Sequence, residues 1–244
     1  MHKEDIKLSR RLEMSVNMVN GPVNAIADIG CDHAHTDIFL VKNGTAGRCI
    51  GMDVRPGPLQ KASENLAMYD CADKVELRLS NGFDALKRDE AEVAIIAGMG
   101  GILMRNILEK GLGKEGHLHG SRIGLILQPQ SHIEEIRRWL YENGYIITDE
   151  DMCLEDGKYY FSMKAEQTTD GEIVGISEAE MFFGPVLLRK RPEILCRYLN
   201  DMLIKARRRL SQIGKSGSKA AGEKKLYFEK IVNMIGEFTW ITLR

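Results

Sequence analysis

An acidic, glycine-poor turn after the first apolar run constrains this chain more than any other feature. The run from Ala25 to Ile29 ends in Ala27-Asp28-Ile29-Gly30-Cys31-Asp32-His33-Ala34, and the next run, Cys49-Ile50-Gly51-Met52-Asp53, again ends on a carboxylate. Gly30 permits a tight turn and close approach of a ligand to the backbone. The 23 residues from Gly30 to Asp53 accommodate one helix and one strand. Asp53 then lies at a strand's carboxyl end, where it can accept hydrogen bonds from both hydroxyls of a ribose. Loops that bind pyrophosphate normally carry three glycines, and here Gly30 stands alone. A nucleoside ligand without a pyrophosphate fits better than NAD, and S-adenosylmethionine is the common one.

The rest of the first part follows the same alternation. Expected strands are Ala25 to Ile29, Arg48 to Asp53, Val75 to Leu79, Val93 to Ala97, Ile123 to Leu127, Ile146 to Asp151 and Tyr159 to Lys164. Helical stretches are expected between the first six, among them Pro58 to Met68, Leu103 to Lys110 and Ile133 to Asn143. Such alternation implies a mostly parallel α/β sheet of Rossmann-like type, its strands apolar on both faces. Between the last two strands, Glu155-Asp156-Gly157-Lys158 leaves no room for a crossover helix and predicts an antiparallel hairpin. By fold analogy, a late hairpin suits a methyltransferase sheet better than a plain dinucleotide-binding one.

After residue 165 the pattern changes. Glu166 to Gly175 reads as a linker, and helices are expected over Pro192 to Ile213 and Gly222 to Thr242, with a polar turn at 214–218 between them. The apolar stripes Leu195, Leu199, Met202, Ala206, Leu210, Ile213 and Phe228, Ile231, Ile235, Phe238, Ile241 predict an α-helical hairpin, coiled-coil-like in its pairing. The expected domains are thus 1–165, catalytic, and 166–244, helical. Charge supports the division: residues 189–244 hold 14 Lys and Arg against 5 Asp and Glu, although the chain's net charge is −1. A basic tail of this kind attracts a polyanion. No apolar run is long enough to span a membrane, the first residues do not resemble a secretory signal, and five scattered cysteines suit a reducing cytoplasm.

Candidate site residues gather at the expected strand ends. Asp28 could bind a ligand's ammonium group, or brace its own turn; Cys31 and Val54 adjoin Gly30 and Asp53 in the cofactor set. Asp32 reads as a helix N-cap or, with His33, as a neighbour of the acceptor base. Asn81, Gly82 and Phe83 follow the third strand, where a side-chain amide could meet an adenine N6 and an aromatic ring could cover it or join the core. Gly98, Met99, Gly100 and Gly101 follow the fourth strand at the reaction edge, as ligand contacts or as a tight turn, and Gln128 follows the fifth. Arg10, Arg11, Arg207, Arg208, Arg209, Lys224 and Lys225 are candidate phosphate contacts. His33 and His35, two apart, make a poor metal pair, and no metal site is expected.

These pieces resemble one family closely, the bacterial tRNA (adenine-22-N1)-methyltransferases known as TrmK. The resemblance is carried by LSRRL at 8–12, ADIGCDHAHTDIFLVKNG at 27–44, NGFDAL at 81–86, IAGMGGILMRNIL at 96–108, LILQPQ at 125–130, EDGKYY at 155–160 and FFGPVLL at 182–188. It departs where family members often have tyrosine for His35 and glutamate for Asp53. The resemblance implies S-adenosylmethionine as methyl donor, S-adenosylhomocysteine as product, and N1 of adenosine 22 in tRNA as acceptor. It also implies that Asp28, Gly30, Asp32, His33 and the Gly98–Gly101 loop form the cofactor and reaction edge. A monomeric cytoplasmic enzyme acting on tRNA is the expectation. A methyltransferase for another RNA adenine and a non-catalytic RNA-binding module are the alternatives; the latter would make Asp28 and Asp53 dispensable.

Overall fold

Strand β1 (Val23–Ile29) sends alternate residues to opposite faces of a seven-stranded sheet. Ala25, Ala27 and Ile29 join Ile50, Ile96 and Leu127 in a cluster closed by Met104, Leu108 and Trp139. Ile26 faces the other way, into a cluster with Cys49, Ile95 and Ile126 that Val16, Ile38 and Leu66 complete. Burial on both faces explains the unbroken apolar runs of the central strands.

The computed structural model describes residues 6–168, 175–213, 219–238 and 240 of the 244-residue chain. Helix α1 (Arg10–Val16) precedes β1, and α2 (His35–Lys42), β2 (Ala46–Asp53), α3 (Pro56–Tyr69) and β3 (Val75–Leu79) follow it. Next come β4 (Val93–Met99), α4 (Gly101–Leu112), β5 (Gly124–Pro129), α5 (Ile133–Glu142), β6 (Tyr145–Glu155) and β7 (Lys158–Gln167). The strand order is β3-β2-β1-β4-β5-β7-β6, parallel except where β7 pairs with β5 and β6. This is the Rossmann-like methyltransferase sheet the sequence predicts. The hairpin turn is Asp156-Gly157, with φ of 48° and 73°. Positive φ at both positions gives the turn whose twist matches paired strands, and glycine supplies the second position without steric cost.

One expected crossover helix is missing. Among the described residues, the β3–β4 connection is a series of turns. It is held instead by Arg78, which pairs with Glu90 at 2.7 Å and Glu76 at 2.8 Å and donates to the Ala85 carbonyl at 2.8 Å. Buried Phe83 and Leu86 anchor the same segment in the core.

The chain divides into two compact units, Met1–Val186 and Leu187–Arg244. The division falls later than the compositional break at 165, for an electrostatic reason. Arg137 on α5 pairs with Glu150 on β6 at 2.9 Å, and both side chains are buried. The same guanidinium donates to the carbonyls of Met181 at 3.1 Å and Phe182 at 2.9 Å, and Glu150 accepts from the Val186 N–H at 2.9 Å. Helix α6 (Glu178–Phe183) is thereby tied into the first unit. Helix α7 (Pro185–Lys190) crosses the division. In the second unit, α8 (Glu193–Ile213) and α9 (Lys219–Gly236) pack on each other as a helical hairpin. Leu195, Leu199, Leu203 and Ala206 are its buried stripe on α8, with Ile231 and Ile235 opposite. Leu203 takes the place expected for Met202, its neighbour on the edge of the stripe. The expected turn at 214–218 and Ile241 lie outside the described residues. No described helix is long and apolar enough to cross a membrane.

Two measurements check this account. Arg137→Met strands the Glu150 carboxylate in the core and should lower unfolding free energy by about 3–5 kcal/mol in urea titrations. Arg78 holds Glu90 down to about 2, below its usual 4.5. A depressed carboxylate contributes stability above its unfolded value and loses it as pH falls through the folded one. Glu90→Gln should therefore destabilise the protein at pH 6, and its difference from wild type should vanish toward pH 2.

Candidate active site

At the carboxyl ends of β1, β2 and β4 the sheet opens into a cavity of about 510 Å³. Its wall contains the sequence-selected residues Asp28, Gly30, Cys31, Asp32, His33, Asp53, Val54, Asn81, Gly82, Gly98, Met99 and Arg11.

The turn after β1 sets the floor. Gly30 (φ 85°) is followed by Asp32 and Ala34, which also have positive φ, of 51° and 57°. Two non-glycine residues in that region within three positions are strained, as backbones at ligand sites often are. The N–H groups of Gly30 and Cys31 both donate to the Met52 carbonyl, at 2.7 and 3.0 Å. They are therefore not presented to a ligand, as a phosphate-binding turn would present them. Asp32 is not the helix N-cap either: α2 begins after Ala34, with no side-chain cap. The Asp32 carboxylate is exposed and lies 3.8 Å from both Arg55 and the His33 ring.

Carboxylates dominate this floor. Asp28 is only 4% exposed and Asp53 only 6%. Burial, reinforced by the neighbouring Asp37 and Asp53 carboxylates, raises the Asp28 carboxyl well above its usual range. Asp53 Oδ1 accepts the Arg55 N–H at 2.9 Å, and Arg55 Nε lies 3.6 Å away. A carboxylate has about four acceptor positions, so capacity for two ribose hydroxyls remains. Burial lowers the His35 value below normal, with the adjacent His33 adding to the effect. The neutral ring matches its 3.3 Å contact with the Asn65 amide, which also donates to the His33 carbonyl at 3.0 Å.

The opposite side is built by β3, β4 and α4. Ser80 donates to the Gly82 carbonyl at 2.8 Å and accepts from the Ala85 N–H at 3.0 Å, which shapes the turn that carries exposed Asn81. Met99 folds over the β1 turn, so that a methyl group on Gly30 would lie 3.1 Å from its terminal carbon. Gly98 has φ 78° at a register break between β4 and β5. Arg11 reaches this loop from α1, its Nη1 3.5 Å from where a Gly98 side chain would begin. It is held by Glu155 at 3.4 Å and by Gln128 at 3.2 Å.

Several selected residues serve the scaffold. Phe83 is 1% exposed in the core, against Gly111 of α4, and does not cover a ligand ring. Gln128 is fully buried; its amide donates to the Arg11 carbonyl at 2.6 Å and to Ser15 Oγ at 3.0 Å. It acts on the cavity through Arg11. A side chain at Gly101 would overlap the Ser131 carbonyl, so this glycine lets α4 approach the loop before α5. Gly100 caps α4, and neither it nor Arg10 lines the cavity. Arg207, Arg208, Arg209, Lys224 and Lys225 are exposed on α8 and α9 of the second unit. Sequence reasoning missed Ser80, Leu103 and Ile107 in the wall. Leu103 and Ile107 left a signal, as apolar residues one turn apart in the helix after the glycine loop; Ser80 left none.

Residues 26–237 match the family model described as TrmK, tRNA (adenine(22)-N(1))-methyltransferase. The chain belongs to this family. It is 34% identical over 225 residues to the tRNA (adenine(22)-N(1))-methyltransferase of Bacillus subtilis, covering 91% of this chain and 92% of that one. The solved structure of the B. subtilis M1A22 tRNA methyltransferase TrmK superposes with a TM-score of 0.83 at 32% identity, covering 96% and 99%. Streptococcus pneumoniae Sp1610, solved in complex with S-adenosyl-L-methionine, gives 0.77 at 30% identity, covering 93% and 100%. The reaction of this chain is that of the TrmK family, methylation of adenine 22 of tRNA at N1.

The Asp53 geometry yields a direct check. Asp53→Ala removes a buried charged acceptor from the floor of the cavity, and calorimetric titration should show S-adenosylhomocysteine affinity reduced by about tenfold or more.

Proposed function

We propose that the cavity at the ends of β1, β2 and β4 holds S-adenosylmethionine and presents its methyl group to N1 of adenosine 22. The observation that carries this reading is the buried acidic floor in a chain of the TrmK family. A pyrophosphate would meet Asp28, Asp32 and Asp53, with the turn's leading N–H groups already used. A ligand with an ammonium, a sulfonium and a ribose finds complementary partners there. In this arrangement Asp28 takes the ammonium, Asp53 the ribose hydroxyls, and Asn81 with Val54 the adenine. Gly98 and Met99 border the sulfonium and the incoming base, with Asp32 and His33 beside it.

The chemistry asks little of a proton acceptor. N1 of neutral adenine has a lone pair in the ring plane. The N1–CH₃ bond forms as the S–CH₃ bond breaks, and the sulfonium becomes the neutral thioether of S-adenosylhomocysteine. The positive charge passes to the methylated adenine. In-line positioning and electrostatic support for that moving charge are the protein's task. N1 lies on the pairing edge, so the adenine must leave its contacts in the tRNA and enter the cavity.

Arg11 fits a phosphate beside the entering nucleotide, and the basic α8–α9 hairpin fits the tRNA backbone by shape and charge. A monomer working in the cytoplasm on tRNA is consistent with these features.

Labelled S-adenosylmethionine and unmodified tRNAs with adenine or guanine at position 22 test the proposal. The expected result is 1-methyladenosine at position 22 and no transfer to the guanine variant; methyl groups mapped elsewhere would reject it. Replacing Arg207, Arg208 and Arg209 together by Glu should raise the KM for tRNA at least tenfold and flatten its salt dependence. The KM for S-adenosylmethionine should stay within twofold in the same assays.

A further inference from the structure

Behind Asp28 lies a second carboxyl group that the proposed chemistry does not use. Asp37, in the first turn of α2, is 0% exposed, and neither of its side-chain oxygens makes a hydrogen bond of full geometry; the groups against it are its own backbone N–H, the Asp28 carboxyl and the Cys49 thiol. It does not line the cavity. Its carboxyl group sits beneath the point where Asp28 of β1 pairs in register with Gly51 of β2. A side chain at Gly51 would press on Asp37 Oδ2 at 3.3 Å and on Cys31 Sγ at 3.2 Å, so the glycine leaves room for the acid. The adjoining ionisable side chains are the Asp28 carboxyl itself and the Cys49 thiol.

The charged neighbours offer little relief. β2 supplies Asp53 and the buried Cys49 thiol, and the turn supplies Cys31 and exposed Asp32. His35 of α2 is neutral, and His33 lies beside Asp32; α3 contributes the neutral Asn65 amide, bound to the His33 carbonyl and His35 ring. The nearby cation, Arg55, is engaged with Asp53 and Asp32. Two carboxylates buried side by side without a cation cannot both remain ionised.

We propose that Asp37 is a positioning residue for cofactor binding: it shares one proton with Asp28 and, when the ammonium docks, keeps that proton and donates it to an anionic Asp28. The proposal rests on the reading of Asp28 as the ammonium's partner. No bond to carbon is involved; the proton lies on an Asp37 oxygen, and the Asp28 oxygen accepts. Burial raises both carboxyls, Asp37 to about 7, and the contact between them raises Asp28 and lowers Asp37, consistent with one proton held between the two near neutral pH and drawn to Asp37 only when the ammonium makes Asp28 anionic.

Steady-state kinetics and calorimetry on the full chain test this. Asp37→Leu removes the donor and should raise the KM for S-adenosylmethionine about tenfold, with kcat within twofold. Asp37→Asn supplies an amide donor of the same shape and should restore the KM to within about threefold of wild type. Titration with S-adenosylhomocysteine at pH 7.5, in buffers of differing ionisation enthalpy, counts protons. Wild type should release well under one proton per ligand bound, because the pair holds a single proton before and after the ammonium docks. A wild-type KM in Asp37→Leu overturns the proposal, as does Asp37→Asn impaired as badly as Asp37→Leu. If Asp37→Leu does not fold, the proton count decides, and release of about one proton from wild type overturns it. Asp28→Asn separates the two layers of argument: undiminished S-adenosylhomocysteine binding in that variant refutes the reading of Asp28 itself.

Discussion

The site depends on one backbone oxygen. The Met52 carbonyl, at the end of β2, accepts from both Gly30 and Cys31 at the end of β1. This pair of bonds fastens the first turn to the neighbouring strand and fixes Asp28 and Asp53 in one floor. It also uses the N–H groups that a phosphate would need. The same constraint therefore shapes a floor that suits the proposed nucleoside ligand and disfavours a pyrophosphate. Positive φ at Asp32 and Ala34 is the conformational cost of turning the chain back into α2 without further glycines.

A second set of bonds connects the antiparallel hairpin to the reaction edge. Ser162 of β7 donates to Ser15 of α1 at 3.1 Å, and Gln128 of β5 donates to the same hydroxyl and to the Arg11 carbonyl. Glu155, where β6 ends, pairs with the Arg11 guanidinium, which also lies 5.6 Å from the centre of the Tyr160 ring. The late hairpin thus does more than complete the sheet. It braces α1 so that its arginine meets the Gly98 loop in a defined position, the kind of preorganisation that substrate positioning requires.

What the sequence revealed depended on how local the determining physics was. Strand periodicity, the Asp156-Gly157 turn and the acids at the ends of β1 and β2 are short-range signals, and they located the sheet and the cavity. Phe83 and Gln128 show the limit. Each follows a strand at the correct edge, yet whether such a side chain points to ligand or to core depends on α4 and α1, elements distant in sequence. The β3–β4 connection was misread because Arg78 and its carboxylate partners replace a helix with side-chain bonds that leave no periodic trace. The first compact unit runs past the compositional break at 165 for a similar reason, since the Arg137–Glu150 pair bonds to the backbone of Met181, Phe182 and Val186 beyond it. Nothing in the sequence around Asp37 marks it out; only the register of Asp28 against Gly51 reveals what it sits beneath.

The most direct test of the central claim is a crystal structure of the protein with S-adenosylhomocysteine bound. The account predicts the ribose hydroxyls within hydrogen-bonding distance of Asp53, the ammonium at Asp28 and the adenine beside Asn81. A ligand lodged elsewhere, or one bound in the cavity with Asp28 and Asp53 untouched, would contradict it.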